Sequence, residues 1–267
     1  MIAAAYALPV AMVTLFAGDF VNRRVRGWLP DDPPRPGRKQ HERPIPLAGV
    51  LLPIALSPWL VPTAAPWLLS AVVVATTTGF VDDWHKERHR ELGWRPKTVA
   101  LGFAAMLAAA AWFPPWQQPT AWLLATAWVF VLTNATNFLD NTDGVCAALS
   151  AVSLWALGAD AAAWSALAFL PWNWPRPRLF LGDSGAYALG LLVGAHSLPW
   201  ANHQLAAVAV QCADFVQVVV ARLVLGVPPW VGDRRHLTHV VQNLGLPRIA
   251  VAPLFAAIAG ALAFCAR

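Results

Sequence analysis

The stretch Pro66-Trp67-Leu68-Leu69-Ser70-Ala71-Val72-Val73-Val74-Ala75-Thr76-Thr77-Thr78-Gly79-Phe80-Val81-Asp82-Asp83-Trp84 decides the fold class. Its apolar residues form a block rather than a period-2 or period-3.6 pattern, and two adjacent acids close it. A helix that is apolar all round is a membrane span or a deeply buried helix. Similar blocks recur along the 267 residues, of which 58% are hydrophobic and 12% charged. An ordinary soluble domain carries about 25% charged residues. The expectation is therefore a single all-α integral membrane domain over 1–267, a polytopic bundle of about ten transmembrane helices.

The spans fall at 1–21, 47–62, 66–81, 98–113, 119–135, 144–158, 160–171, 185–200, 204–226 and 248–266. Between them lie polar loops at 22–46, 82–97, 136–143, 171–184 and 227–248. These loops hold every Lys and Arg except Arg222, just inside a span, and the terminal Arg267. The alternate connections hold none. By the positive-inside rule the charged loops are cytoplasmic and both termini face outside. The formal charge of +5 is thus spread as in a membrane protein, and a nucleic-acid partner is not expected. Met1 to Val21 lacks a basic leader and runs into Asn22-Arg23-Arg24, so it reads as a retained span rather than a cleaved signal. Cys146, Cys212 and Cys265 sit in apolar stretches without metal-ligand spacing, which suggests buried thiols and no disulfide framework. Segment 30–38, rich in Pro and Gly, reads as irregular.

Acidic residues gather in or beside the same loops. Asp82 and Asp83 end an apolar run, where paired carboxylates repel and call for a raised pKa or a cation. A solvated loop start, with Lys86 and Arg88 following, is the plainer account of that pair. Asn137, Asp140 and Asp143 are spaced three apart, which on a helix puts them on one flank. They could grip a base, ribose or sugar, while Asn141 or Asp143 could instead cap the next helix. Gly182-Asp183-Ser184-Gly185 opens a span with a carboxylate between glycines, and Arg176 and Arg178 just before it are donors for phosphate. A tight turn with an Asp or Ser cap has the same sequence. His236 and His239 in the last loop would share a helix face. Their use as donors to a pyrophosphate or sugar is favoured over zinc, since Asp233 is the only close third ligand.

Five segments together resemble the polyprenyl-phosphate N-acetylhexosamine-1-phosphate transferases, in the branch that initiates O-antigen and enterobacterial-antigen glycans. They are Arg38-Lys39-Gln40-His41 with Ile45-Pro46-Leu47-Ala48-Gly49, Asp82-Asp83, Asn134 to Gly144, Asn173 to Gly185, and Asp233 to His239. The resemblance implies a cytoplasmic-face active site in the inner (plasma) membrane. There a polyprenyl (undecaprenyl) phosphate attacks the β-phosphorus of a UDP-sugar and releases UMP. It implies Mg²⁺, or Mn²⁺, on Asp183 and Asp82. Catalytic work is expected from Asp82, Asp83, Asp140, Asp143, His236 and His239, and substrate contacts from Asn137, Lys39, His41, Arg178 and Arg234. The partners are the UDP-sugar donor, the polyprenyl phosphate acceptor and the lipid bilayer, with a homodimer left open.

This chain departs from the family pattern at four positions. Asn141 stands for the usual glycine, Thr238 for one histidine, Ala186 for a serine and Val50 for a second glycine. It is also short between Gly144 and Pro171. A membrane transporter using the same acids, or an inactive membrane scaffold, are the competing functions. A transporter would place polar residues deep in spans, where Asp214, Gln211 and Gln217 are the main examples.

Overall fold

The computed structural model describes residues 2–25, 27–34, 43–63, 66–88, 92–198, 200 and 202–266. Lys39 and His41 lie outside the described residues. The chain is mostly helical. After α1 (Ile2–Ala5) and α2 (Ala7–Arg24), strands β1 (Asp31–Asp32) and β2 (Ile45–Pro46) pair antiparallel. Then come α3 (Leu51–Thr63), α4 (Pro66–Glu87), α5 (Trp94–Ala110), α6 (Pro119–Phe138), α7 (Val145–Ala156) and α8 (Asp160–Asn173). The chain ends with α9 (Gly182–His196), α10 (Asn202–Ala207), α11 (Ala209–Val224), α12 (Leu237–Asn243) and α13 (Arg248–Cys265). A helix thus lies on each of the ten expected segments. Of the described helices, α6 and α13 are long and apolar enough to cross a membrane by length and composition, and shorter apolar helices occupy Leu51–Leu60 and Val145–Ala156.

The structure corrects several expectations. Segment 30–38 is not wholly irregular, because Asp31 and Asp32 pair with Pro46 and Ile45. Helix α4 runs on past Val81 to Glu87, so Asp82, Asp83 and Lys86 are helical residues rather than the start of a loop. Asn137, Asp140 and Asp143 do not share a helix flank. Helix α6 stops at Phe138, where Leu139 N–H and Asp140 N–H bond back only three residues, to Thr136 and Asn137. Gly144 then takes a left-handed φ of 74°, and it, not Asn141 or Asp143, is the N-cap residue of α7. Of the three free thiols, Cys146 is buried, Cys212 is half-buried and Cys265 is exposed.

Helix α9 is the hub, buried from Gly182 to Ala195. Small residues let its neighbours approach closely. A Cβ on Gly190 would lie 2.9 Å from the Thr133 Cα of α6, and one on Gly194 would lie 3.1 Å from the Val129 Cα. On the other side Gly79 of α4 meets the backbone of Asp183 and Ser184. The Gly79 contact sets the acidic first turn of α9 against the acidic end of α4, and the Gly190 and Gly194 contacts seat the later turns of α9 on α6. The segment after β2 lies beside the segment entering α9: Phe180 N–H donates to Pro46 O at 2.9 Å and Ala48 N–H to Phe180 O at 2.9 Å.

Candidate active site

Asp83 is fully buried and spends both oxygens on the start of α9. Oδ1 accepts from Asp183 N–H and Oδ2 from Ser184 N–H, each at 3.0 Å. These are orphan donors of a helix N-terminus, so α4 caps α9 through a side chain a hundred residues away in sequence. The α9 start needs Gly182, whose φ is 66° and whose added Cβ would sit 2.7 Å from Asp83 Oδ2. Asp82, also fully buried, accepts from Leu92 N–H at 2.8 Å. Its Oδ2 lies 3.0 Å from Lys86 Nζ and 3.3 Å from Lys97 Nζ.

Asp183 faces the same lysines. Its Oδ1 is 2.7 Å from Lys86 Nζ and accepts from Asn137 Nδ2 at 3.2 Å, while Tyr187 donates its hydroxyl to Oδ2 at 3.1 Å. Lys86 Nζ also stands 3.7 Å from Asp83 Oδ1. Three carboxylates thus surround one ammonium, which answers the charge repulsion that the sequence poses.

The turn after α6 is tied down by Asn173. Its Oδ1 accepts from Gly144 N–H at 2.8 Å and its Nδ2 donates to Leu179 O at 3.0 Å, so one buried amide joins the α6–α7 turn to the α8–α9 loop. Asp143 pairs with Arg248 at 2.7 Å. Burial, with the charges of Asp183 and Asp83 nearby, pushes the Asp140 carboxyl well above the usual carboxylate range.

The last loop hangs on Arg222. This guanidinium is 2% exposed, lies 5.0 Å from the Phe138 ring centroid and meets Asp233 Oδ2 at 3.1 Å. Arg235 reaches the same oxygen at 2.6 Å. Burial raises the Asp233 pKa, but these arginine contacts win and bring it down to about 2. His236 is the N-cap residue of α12 and His239 lies in its first turn, so the two do share one helical end. His236 Nδ1 lies 2.9 Å from Asp214 Oδ2. Burial, helped by the charge of Arg234, lowers His239 to about 4.

One cavity of about 960 Å³ collects these groups. Asp83, Lys86, Lys97, Asn137, Asp140, Asp143, Asp183, Arg234, His236 and His239 all line it. Asp82 stands behind the lining, in contact with the two lysines, and Arg178 is exposed and outside it. The sequence reading missed Lys86 and Lys97 as members of the site. The signal for Lys86 was its i,i+3 and i,i+4 spacing to Asp83 and Asp82, visible once α4 is extended past Val81; Lys97, on α5, carried no such local signal. It also missed Asn173 and Arg248, whose partners are distant in sequence and carry no local signature.

Asp82 and Asp183 are neighbouring carboxylates held by the same two cations. Among the described residues no group of three or more His, Cys, Asp or Glu is arranged to hold a metal. That excludes a cage built by these side chains alone, but Mg²⁺ is taken by one or two carboxylates with substrate phosphates and water completing its shell. Asp183, which lines the cavity, fits that chemistry, and Asp82 stands behind it on the same two lysines.

A family model described as glycosyl transferase family 4 matches residues 65–201, just over half the chain and the part that holds α4 to α9. The chain belongs to glycosyl transferase family 4. The phospho-N-acetylmuramoyl-pentapeptide-transferase of Moorella thermoacetica is 30% identical over 227 residues, covering 69% of this chain and 71% of that protein. The undecaprenyl-phosphate α-N-acetylglucosaminyl 1-phosphate transferase of Thermotoga maritima is 32% identical over 120 residues, 43% of this chain and 41% of its own. The decaprenyl-phosphate N-acetylglucosaminephosphotransferase of Mycolicibacterium smegmatis is 27% identical over 170 residues, 48% and 42% respectively. The chain spans less than half the length of these last two relatives. Family members named for muramoyl-pentapeptide and for N-acetylglucosamine transfer both match, so the similarity does not single out one branch.

Proposed function

We propose that the chain transfers a sugar 1-phosphate, of the N-acetylhexosamine type, from a UDP-sugar to polyprenyl phosphate. The lipid phosphate oxygen attacks the β-phosphorus, the bond to the α-phosphate bridge breaks, and UMP leaves with that oxygen. The product is a lipid pyrophosphoryl sugar that starts a cell-envelope glycan, of O-antigen kind in the narrower reading. The observation that carries this is the single cavity in which segments from five parts of the chain present carboxylates, lysines, an amide and two histidines.

In this reading the bundle crosses the plasma membrane ten times with the cavity at the cytoplasmic face. A phosphate approaching a diphosphate brings several negative charges together, so cationic stabilisation dominates the barrier. Lys86 and Lys97 supply fixed positive charge beside Asp183, and Arg234 lines the cavity from the last loop. Mg²⁺ held by Asp183 and Asp82 would polarise the donor's phosphate oxygens and neutralise the charge that develops there. Asn137 orients Asp183 through its amide. Asp140 and Asp143 hold the nucleotide or sugar side, and His236 and His239 meet the donor. Two of the polar groups deep in α11 are committed to partners within the protein, which favours this reading over a transport path. Asp214 uses both oxygens on His236 and Leu237, and Gln211 Nε2 binds Ser153, so they bind helix to helix and helix to site.

The test is direct. Purified protein with Mg²⁺, undecaprenyl phosphate and a panel of UDP-sugars should release UMP with at least one donor. Absence of release with every donor, under conditions in which a relative works, ends the proposal.

A further inference from the structure

Asp214 lies on the inward face of α11, in the row Gln211, Asp214, Val218 and Arg222, all buried. An ionised carboxylate there needs partners that use both of its oxygens. It has them in one short segment: Oδ1 accepts from Leu237 N–H at 2.7 Å and Oδ2 meets His236 Nδ1 at 2.9 Å. The first bond fixes the start of α12, and the second fixes the ring that precedes it. Two further contacts limit the ring. Phe138 meets it edge-on, with centroids 5.4 Å apart and planes at 83°, and His239 lies 6.2 Å away. The loop leading to His236 is itself held by the Arg222–Asp233 pair.

A carboxylate accepts hydrogen bonds and an imidazole nitrogen must then donate, so Nδ1 carries the proton. His236 lines the cavity, and Nε2 is the nitrogen left for it. We propose that Asp214 is a positioning residue, which holds His236 as the Nδ1–H tautomer and presents Nε2 as an acceptor to the donor substrate. The inference rests on reading the cavity as the transferase site. Carboxylates that orient a metal-bound histidine are worth about 10- to 100-fold in affinity or activity, and an effect of that order is expected where the oriented ring meets substrate instead.

Asp214→Asn separates orientation from folding. The new side chain keeps an oxygen for Leu237 N–H, but its amide donates to Nδ1 and moves the ring proton to Nε2. Protein labelled with ¹⁵N-histidine, in detergent micelles, should show His236 as the Nδ1–H tautomer, assigned by its loss in His236→Gln. In Asp214→Asn the resonance should change to the Nε2–H form. With the donor that supports UMP release, kcat should fall about 10- to 100-fold and Asp214→Glu should recover part of it. In a His236→Gln background the Asp214→Asn change should have little further effect. The inference is overturned if wild-type His236 is the Nε2–H tautomer, or if Asp214→Asn leaves tautomer and kcat unchanged. It is overturned equally if that change costs as much without His236 as with it. If no donor is turned over, the transferase reading fails by itself, and the tautomers of wild type and Asp214→Asn alone decide the placement of the ring.

Discussion

Thr238 donates its hydroxyl to Asn141 Oδ1 at 2.6 Å, joining two of the positions at which the sequence departs from the pattern it resembles. Thr142 donates to the same oxygen at 2.9 Å, and Gln242 Nε2 reaches both Thr142 Oγ1 and Thr238 O. In place of the glycine and histidine that the resemblance leads one to expect, this chain has an amide and a hydroxyl that fit each other. They hold α12, and so His236 and His239, against the turn that carries Asp140 and Asp143. The two changes should therefore behave as a unit. Asn141→Gly and Thr238→His should each lower UMP release, while the double variant should recover activity above either single. The coupling expected of touching residues in one hydrogen-bond network is on the order of 0.5–3 kcal/mol. Additive losses in a double-mutant cycle would show that the contact carries no function.

Asp82 and Asp83 are adjacent in sequence but differ in what they hold. Asp83 caps α9 with both oxygens, whereas Asp82 binds Leu92 N–H and shares the two lysines. Asp83→Ala strips two buried N–H donors of their acceptors. Loss of a cap alone costs about 0.5–2 kcal/mol, and buried unsatisfied donors add to it. Thermal unfolding in detergent should show a larger fall in Tm for Asp83→Ala than for Asp82→Ala. Equal falls would remove the capping role from Asp83.

Much of this site is legible in the sequence because its members lie where charge meets apolar helix. The clustering of Asp82-Asp83, Asn137 to Asp143, Asp183 and His236 to His239 needed only composition and loop placement, and their acidic and imidazole groups line the cavity or, like Asp82, contact residues that do. Two kinds of information were not local. The length of α4 beyond Val81 decides whether Lys86 is a solvated loop residue or the cation among three carboxylates, and a charged sequence does not mark that helix end. Long-range pairs such as Asp143 with Arg248, or Asn173 with Gly144, are set by how helices pack. The spacing of Asn137, Asp140 and Asp143 suggested a helix flank because period alone cannot register that α6 ends at Phe138.

Asp183 is the carboxylate on which Lys86, Lys97, Asn137 and Tyr187 all converge. Asp183→Asn keeps the shape and leaves the N–H bonded to Asp83, so the fold should persist by size-exclusion and thermal melting. Turnover should fall by on the order of 10²-fold or more, the scale seen when a preorganised charged group is removed at a reacting centre. Near-normal UMP release from the variant would remove Asp183 from the reaction.

His239 should give the last loop a pH dependence of known sign. Burial lowers its pKa to about 4, below the unfolded value of about 6.5. Between those values the unfolded chain binds the proton and the folded chain does not, so stability falls as the pH drops from about 6.5 to about 4. Above about 6.5 both states are neutral and the penalty is absent; below about 4 it is complete. The Nδ1 atom is buried without a hydrogen-bond partner among the described residues, so protonation there gains no hydrogen bond, and only the Asp214 charge opposes the shift. Because the side chain is half-exposed, solvent screening reduces the size of the effect but not its direction. His239→Gln cannot take up the proton, so its Tm should fall less steeply than that of the wild type over this range. Parallel Tm curves for the two proteins, measured in one detergent at matched ionic strength, would show that His239 titrates alike in both states.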